Sequence, residues 1–245
     1  MRILLVNDYG TATGGAEVLF LLLRRLLRER GHAVRLFSSS ARPLGAPCEA
    51  DDTCFGTTTT ARTTLQAANP WAAARIGDVL RDFRPDVVHV GVFLTQLSPS
   101  ILPRLRDIPA LFHVHWYRAV CPLGTKRLPN ARDCNEPWGT ACLRNGCLTL
   151  RAWLPMMAQR QLWHRYRDVF DRTIACGDAV RRRLEEAGFP NIEVVPNCVA
   201  PRQQRPALQD PPTAAFSGRL VAEKGVDVLV DAFSQVVREL PGARL

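Results

Sequence analysis

The chain has 245 residues, 47% of them hydrophobic, a length and composition that suit one large domain or one and a half ordinary ones. No apolar run approaches the roughly 20 residues of a membrane-spanning helix, and we expect no signal peptide because Met1-Arg2 leads directly into a strand. The net charge is +9, and only Lys126 and Lys224 of the 32 basic residues are lysine, which favours anionic partners such as nucleotide phosphates or acidic lipid headgroups.

Short apolar runs alternate with helical patterns along the chain. The predicted strands are Ile3–Val6, Ala33–Phe37, Val87–Val90, Ala110–His115, Thr173–Cys176 and Ile192–Val195. The predicted helices are Ala16–Arg30, Trp71–Phe83, Gln96–Leu105, Leu150–Asp171 and Asp178–Ala187. Ser38–Asn69 and Cys121–Cys147 are predicted loops. This alternation predicts an α/β fold with a parallel sheet and helices on both faces.

The first strand, a glycine loop and the first helix predict a ligand site. The loop lies beyond the carboxyl end of a parallel strand, where such sheets bind ligands. Gly14 and Gly15 allow close approach to backbone N–H groups at a helix N-terminus, which suits an anion or a sugar. Glu17 is either a first-turn carboxylate favoured by the helix dipole or a contact to an acceptor. The alternative is a tight strand-to-helix turn that binds nothing.

A proline-rich stretch divides the chain. Residues 200–212 contain four prolines and read as a linker, and a second strand-loop-helix unit begins at Thr213. We therefore predict a domain over residues 1–208 and the start of a second domain over residues 209–245.

The second unit carries the most specific motif. Ser217-Gly218-Arg219 and Glu223-Lys224-Gly225 resemble the start of the second domain of family 4 retaining glycosyltransferases. Further stretches resemble the same family in matching order: Gly14-Gly15-Ala16-Glu17, Arg84-Pro85-Asp86-Val87-Val88-His89, His113-Val114-His115-Trp116-Tyr117 and Val194-Val195-Pro196-Asn197. Trp116 departs from the family, which often has Asp there. The family's paired glutamates for the donor would lie beyond Leu245.

The resemblance implies a GT-B architecture, in which two Rossmann-like domains face a cleft. Residues 1–208 would bind the acceptor, a glycan, lipid or small molecule, and residues 209–245 would begin the nucleotide-sugar domain. The family transfers the sugar with retention and without a catalytic metal. It implies that His115 is catalytic, facing the donor sugar. Arg219, Lys224 and Gly15 would bind the donor diphosphate, and Gly14 and Glu17 would line the acceptor loop.

Four cysteines in one loop predict a possible structural zinc site. They are Cys121, Cys134, Cys142 and Cys147. Four soft ligands can surround zinc tetrahedrally, although the spacing of the first two is looser than in a zinc ribbon. The alternative is buried or idle thiols, which is how we interpret the four other cysteines of the chain.

Two functions from different classes follow. The first is a glycosyltransferase in the cytoplasm. The helix over Leu150–Asp171 mixes tryptophans with arginines, so it either lies peripherally on the inner face of an anionic membrane or packs on the sheet with its arginines in water. The second is a non-catalytic binding module made of a lone acceptor-type domain. We expect no nucleic-acid partner because no nucleic-acid-binding motif is recognisable.

Overall fold

A computed structural model of the chain describes residues 1–130, 132–199, 207, 209–221 and 224–245. The chain divides into two compact units, Met1–Val199 and Ala200–Leu245. Most of the predicted linker, namely residues 200–206 and 208, lies outside the described residues, as do residues 222 and 223 of the second unit.

Seven parallel strands form one sheet in the first unit and confirm the predicted α/β class with a Rossmann-like parallel sheet. The strands are β1 (Arg2–Tyr9), β2 (Ala33–Ser39), β3 (Asp52–Cys54), β4 (Val87–Val90), β5 (Ala110–Val114), β6 (Arg172–Ala175) and β7 (Ile192–Val194). Their order is β3-β2-β1-β4-β5-β6-β7, and all neighbours pair in parallel. The order reverses between β1 and β4, which places a crevice at the carboxyl edge there.

Helices pack on both faces of the sheet, as predicted. They are α1 (Gly15–Glu29), α2 (Arg62–Ala67), α3 (Pro70–Phe83), α4 (Ala141–Arg144), α5 (Leu150–Tyr166) and α6 (Asp178–Glu186). Successive residues of a strand point to opposite faces. Leu5 of β1 accordingly shares a core with Phe20 of α1, whereas Leu4 shares the larger core with Ile76 of α3.

An aromatic cluster centred on Trp163 of α5 fills the larger core. The Trp163 side chain is fully buried, and its ring centroid lies 5.5 Å from that of Phe112 and 5.8 Å from that of Phe93. Phe170 stacks on Phe112 at 5.1 Å. One of the tryptophans that suggested a membrane-surface helix is therefore a core residue. No helix among the described residues is long and apolar enough to cross a membrane.

Two short elements lie within Ser38–Asn69, which the sequence predicted to be a loop. They are β3 and α2, of three and six residues, too short for hydrophobic periodicity to reveal. Asp51 fixes the start of β3, because its carboxylate accepts a hydrogen bond from Leu36 N at 2.8 Å and pairs with Arg28 at 2.9 Å. The buried Cys54 then extends the core beneath β3.

The second unit contains helix α7 (Val226–Glu239). Gly225 precedes the helix with φ 64°, a left-handed conformation that glycine adopts without strain. Thr213 and Arg244 form one parallel bridge, and Ala214 N donates to Arg244 O at 2.9 Å. Val228 and Val230 of α7 are 67% and 53% exposed.

We expect Trp163→Ala to lower the free energy of unfolding by about 3–5 kcal/mol, because it leaves a cavity at the centre of the aromatic cluster. Trp71→Ala is the matched control, since Trp71 is 56% exposed and packs edge-on against Phe55 alone among the described aromatic rings. It should cost about 1 kcal/mol or less. Urea unfolding monitored by circular dichroism measures both, and similar losses for the two variants would contradict the central role of Trp163.

Candidate functional site

The loop after β1 and the segment after β4 meet at the carboxyl edge of the sheet through two buried side chains. The Asn7 amide oxygen accepts from Val92 N at 2.9 Å. The Asp8 carboxylate accepts from Thr95 N and Gln96 N, both at 2.7 Å, and from Leu97 N at 2.9 Å. The Thr95 hydroxyl also donates to Asp8.

Asp8 is thus a structural anchor of the site. Burial raises the pKa of its carboxyl group, while the hydrogen bonds from Thr95, Leu97 and Gln96 oppose that shift. The sequence analysis assigned Asp8 no role. The available signal was its position, because a charged residue near the carboxyl end of a buried parallel strand lies close to the edge where such sheets bind ligands.

Three histidines cluster at the ends of β4 and β5. His89 Nε2 and His113 Nδ1 lie 3.3 Å apart, so one donates to the other. The ring centroids of His113 and His115 are 4.0 Å apart. Phe20 of α1 contacts both His89 and His115 edge-on, with centroids 5.2 and 5.8 Å away. The predicted catalytic His115 therefore belongs to a group whose two other members the sequence analysis missed.

The histidine cluster is uncharged near neutral pH. Burial lowers the pKa of His89 to about 3 and that of His113 to about 4. Burial and the two neighbouring imidazoles lower the pKa of His115 to about 3. Both ring nitrogens of His115 and Nε2 of His113 are buried and find no hydrogen-bond partner among the described residues. Neutral imidazoles each offer one donor and one acceptor.

The glycine loop places Gly14, Gly15 and Glu17 at the start of α1, as expected. A Cβ atom on Gly14 would collide with the Glu17 carboxylate, which folds back over the loop, whereas Gly15 has open space around it. Burial raises the pKa of Glu17, with a smaller contribution from Asp8. Glu17 lies one helical turn before Phe20, on the same face of α1. The loop and the histidine cluster therefore border the same aromatic ring.

The four cysteines predicted as possible zinc ligands are free thiols. Cys121 is buried, and Cys134, Cys142 and Cys147 are partly buried. Burial raises the pKa of Cys142 and of Cys147, and the neighbouring cysteines of the loop add to both shifts. The described residues contain no group of three or more His, Cys, Asp or Glu side chains that could hold a metal ion. The predicted zinc therefore gains no support from the structure.

Arg219 and Lys224 belong to the second unit, and both are exposed. Lys224 lies two residues before α7, and its N–H donates to Val221 O at 2.9 Å. The ammonium group and the helix N-terminus are thus close along the chain, an arrangement that suits phosphate oxygens.

Acidification should destabilise the first unit through the histidine cluster. The pKa of each histidine is lower in the folded state than its unfolded value of about 6.5. The folded state is therefore fully stable above pH 6.5, and its free energy of unfolding decreases as the pH falls toward 4. Each of these histidines lowers the free energy of unfolding by up to about 1.4 kcal/mol for every pH unit within this range.

Urea unfolding between pH 7 and pH 5 measures that slope. His113→Leu should flatten it by removing one of the buried imidazoles. His32→Gln is the matched control, since His32 is partly buried directly before β2 and lies outside the histidine cluster, and it should leave the slope unchanged. A wild-type free energy of unfolding that does not fall between pH 7 and pH 5 would contradict the buried neutral cluster.

Comparison with solved structures finds distant matches. Similar solved structures include sucrose-phosphate synthase from Thermosynechococcus elongatus, at 12% identity and a TM-score of 0.49 over 80% of this chain and 48% of that one. UDP-GlcNAc 2-epimerase from Methanocaldococcus jannaschii matches at 14% identity and 0.46, over 80% and 46%. Lipopolysaccharide outer core galactosyltransferase WaaB matches at 12% identity and 0.47, over 84% and 51%. The chain thus spans about half the length of these proteins.

The family assignment comes from sequence. No curated protein matches the chain. The profile of Glycosyltransferase Family 4 matches residues 13–203, which include the glycine loop, the histidine cluster and all four cysteines of the loop. Arg219 and Lys224 lie beyond that match. Because the profile covers most of the chain, the chain belongs to Glycosyltransferase Family 4.

Proposed function

We propose that the protein transfers a sugar from a nucleotide-sugar donor to an acceptor, with retention of the anomeric configuration. The family match over residues 13–203 is the observation that carries this proposal. The acceptor would be a glycan, a lipid-linked sugar or a small molecule. A cytoplasmic location and contact with an anionic membrane stay part of the proposal, and the net charge of +9 favours the membrane contact.

The two predicted domains would divide the substrates between them. Residues 1–208 would bind the acceptor, with Gly14 and Glu17 at the loop after β1. Residues 209–245 would begin the donor domain. Arg219, Lys224 and Gly15 would bind the donor diphosphate, and a planar guanidinium together with a compact ammonium suits its oxygens. The chemistry would then depend on position and charge rather than on a metal ion.

His115 would act as a neutral group. With a pKa lowered to about 3, its imidazole carries no charge at pH 7 and offers a hydrogen-bond donor and an acceptor to a sugar hydroxyl. Both ring nitrogens are buried and have no partner among the described protein atoms, so each keeps its hydrogen-bonding capacity for a group brought against it. His113, in ring contact with His115, would hold the imidazole in place, and His89 would in turn stack on His113.

The alternative is a binding module without catalysis. Sugar transfer distinguishes the two functions, because a binding module would hold an acceptor without releasing a nucleoside diphosphate from any donor. The assay supplies a panel of UDP-, GDP- and ADP-sugars together with glycan and lipid-linked acceptors, and it detects the released nucleoside diphosphate. In a protein that carries the whole donor domain, acceptor-dependent release from one donor supports the enzyme, and its absence across the panel contradicts it.

The diphosphate role makes a direct prediction for Arg219→Ala and Lys224→Ala. Each should lower kcat/KM roughly a hundred- to a thousand-fold, the cost of removing one preorganised charge donor from a transition state. Folding should be unaffected because both side chains are exposed. Arg238→Ala, in the last turn of α7, removes an equal charge from the same unit and should leave the rate near that of the wild type. Near-normal transfer by both Arg219→Ala and Lys224→Ala would contradict the proposed clamp.

His115 generates a separate prediction. His115→Ala should lower kcat about 10- to 100-fold, the value of one hydrogen bond to the reacting sugar, while the nucleoside diphosphate affinity stays the same. His32→Gln is the control for loss of an imidazole elsewhere. Titration calorimetry gives the affinity and initial rates give kcat. Unchanged kcat in a folded His115→Ala variant would assign His115 to structure instead.

A further inference from the structure

A cavity of about 320 Å³ lies between α5 and α6 of the first unit. Its wall includes Arg160 and His164 of α5, Arg183 and Glu186 of α6, and Trp138 from the cysteine-containing loop. We call it the α5–α6 cavity. It differs from the histidine cluster, which lies on the face of the sheet covered by α1.

Two hydrogen-bond donors on this wall lack acceptors. Trp138 is only 5% exposed, yet its indole Nε1 has no hydrogen-bond partner in the part of the chain that the structure describes. The same holds for the buried Nε of Arg160. Both groups can only donate, and burying a donor without a partner is unfavourable. The pair therefore favours a ligand rich in acceptor oxygens.

The charge of the residues that line the cavity also favours an anionic ligand. Four described lining residues are cationic, namely Lys126, Arg160, Arg167 and Arg183, and the carboxylate among them is that of Glu186. Glu186 already pairs with Arg183 at 3.1 Å. Neither Arg160 nor Arg167 forms an ion pair with any residue that the structure describes. Burial and these two guanidinium groups lower the pKa of His164, as expected for a positive electrostatic potential.

We propose that the α5–α6 cavity binds a compact phosphate-bearing anion. Guanidinium groups present planar pairs of donors that match phosphate oxygens. The volume is at the small end of ligand pockets, which suits orthophosphate, pyrophosphate or the phosphate of a small sugar phosphate or lipid headgroup. The inference uses residues of the first unit alone and does not depend on the proposed sugar transfer.

The cavity adjoins a wider groove of about 840 Å³. Lys126, Asn135, Arg183 and Glu186 line both spaces. Tyr117, which follows β5, lines the groove, so the groove reaches the carboxyl edge of the sheet. An anion in the cavity would therefore have a polar path toward the edge that carries His115.

The test titrates the whole chain with inorganic phosphate and with inorganic pyrophosphate, by calorimetry and by tryptophan fluorescence. We expect saturable binding of at least one anion at millimolar concentration or below. Arg160→Met, which keeps the unbranched apolar stem but removes the guanidinium donors, should weaken binding at least 10-fold, a loss typical of one charge-assisted contact. Trp138→Phe should remove the fluorescence change and weaken the calorimetric affinity.

Arg151→Gln is the matched control, because Arg151 is an exposed arginine of the same helix that does not line the cavity. It should bind both anions as the wild type does. If Arg160→Met fails to fold, Arg167→Gln at the end of α5 takes its place. Equal affinity for all variants would overturn the proposal, as would the absence of saturable binding of either anion at about 10 mM together with no binding that depends on an anionic phospholipid.

A second experiment with lipid vesicles distinguishes a lipid headgroup from a soluble ligand as the source of the phosphate group. Sedimentation with phosphatidylglycerol vesicles, compared with phosphatidylcholine vesicles, measures lipid binding. Binding that depends on phosphatidylglycerol and on Arg160 assigns the phosphate to a lipid headgroup. Binding of the free anions alone assigns it to a soluble ligand. Failure of both arms contradicts the proposal but leaves the sugar-transfer proposal intact, since that is measured by release of nucleoside diphosphate.

Discussion

The buried carboxylate of Asp8 is the interaction on which the candidate site depends. A charge removed from water must be surrounded by donors, and Asp8 meets this requirement by accepting from three consecutive backbone N–H groups and one hydroxyl. The donors belong to the segment after β4, whereas Asp8 ends β1. Two segments that are 87 to 89 residues apart are thereby fixed at the point where the strand order reverses, and the glycine loop starts from this fixed position.

The alternation of side chains along β4 and β5 explains how the histidines come together. Val88 and Val90 of β4 and Phe112 and Val114 of β5 point into the larger core. The intervening His89 and His113 must then lie on the other face, next to α1. In the parallel register His89 lies opposite Leu111, and His113 is the next residue of β5 on that same face. His115 continues this row beyond the end of β5. Burial lowers the pKa of all three below neutrality, and Phe20 covers His89 and His115.

Most of the sheet could be predicted from the sequence because its central strands are short apolar runs bounded by turn residues. β3 could not, since three residues carry no periodicity and its place beside β2 depends on ion pairs from α1. His115 could be identified from a local motif, but its partners could not, because contact between residues 24 positions apart is set by strand pairing. Trp138 and Arg160 come from a loop and a helix, and only the folded chain shows that they share a wall.

Both edges of the sheet are three-residue strands, β3 and β7. An edge strand offers unpaired backbone groups to any neighbouring chain, and long flat edges promote aggregation. Here each edge strand offers backbone groups for only about one or two hydrogen bonds. Asp52 lies in β3 and Glu193 lies in β7. A charge on so short an edge opposes the docking of another strand. The first unit can therefore present an open ligand-binding edge at the carboxyl ends of its strands while its lateral edges resist addition of further strands.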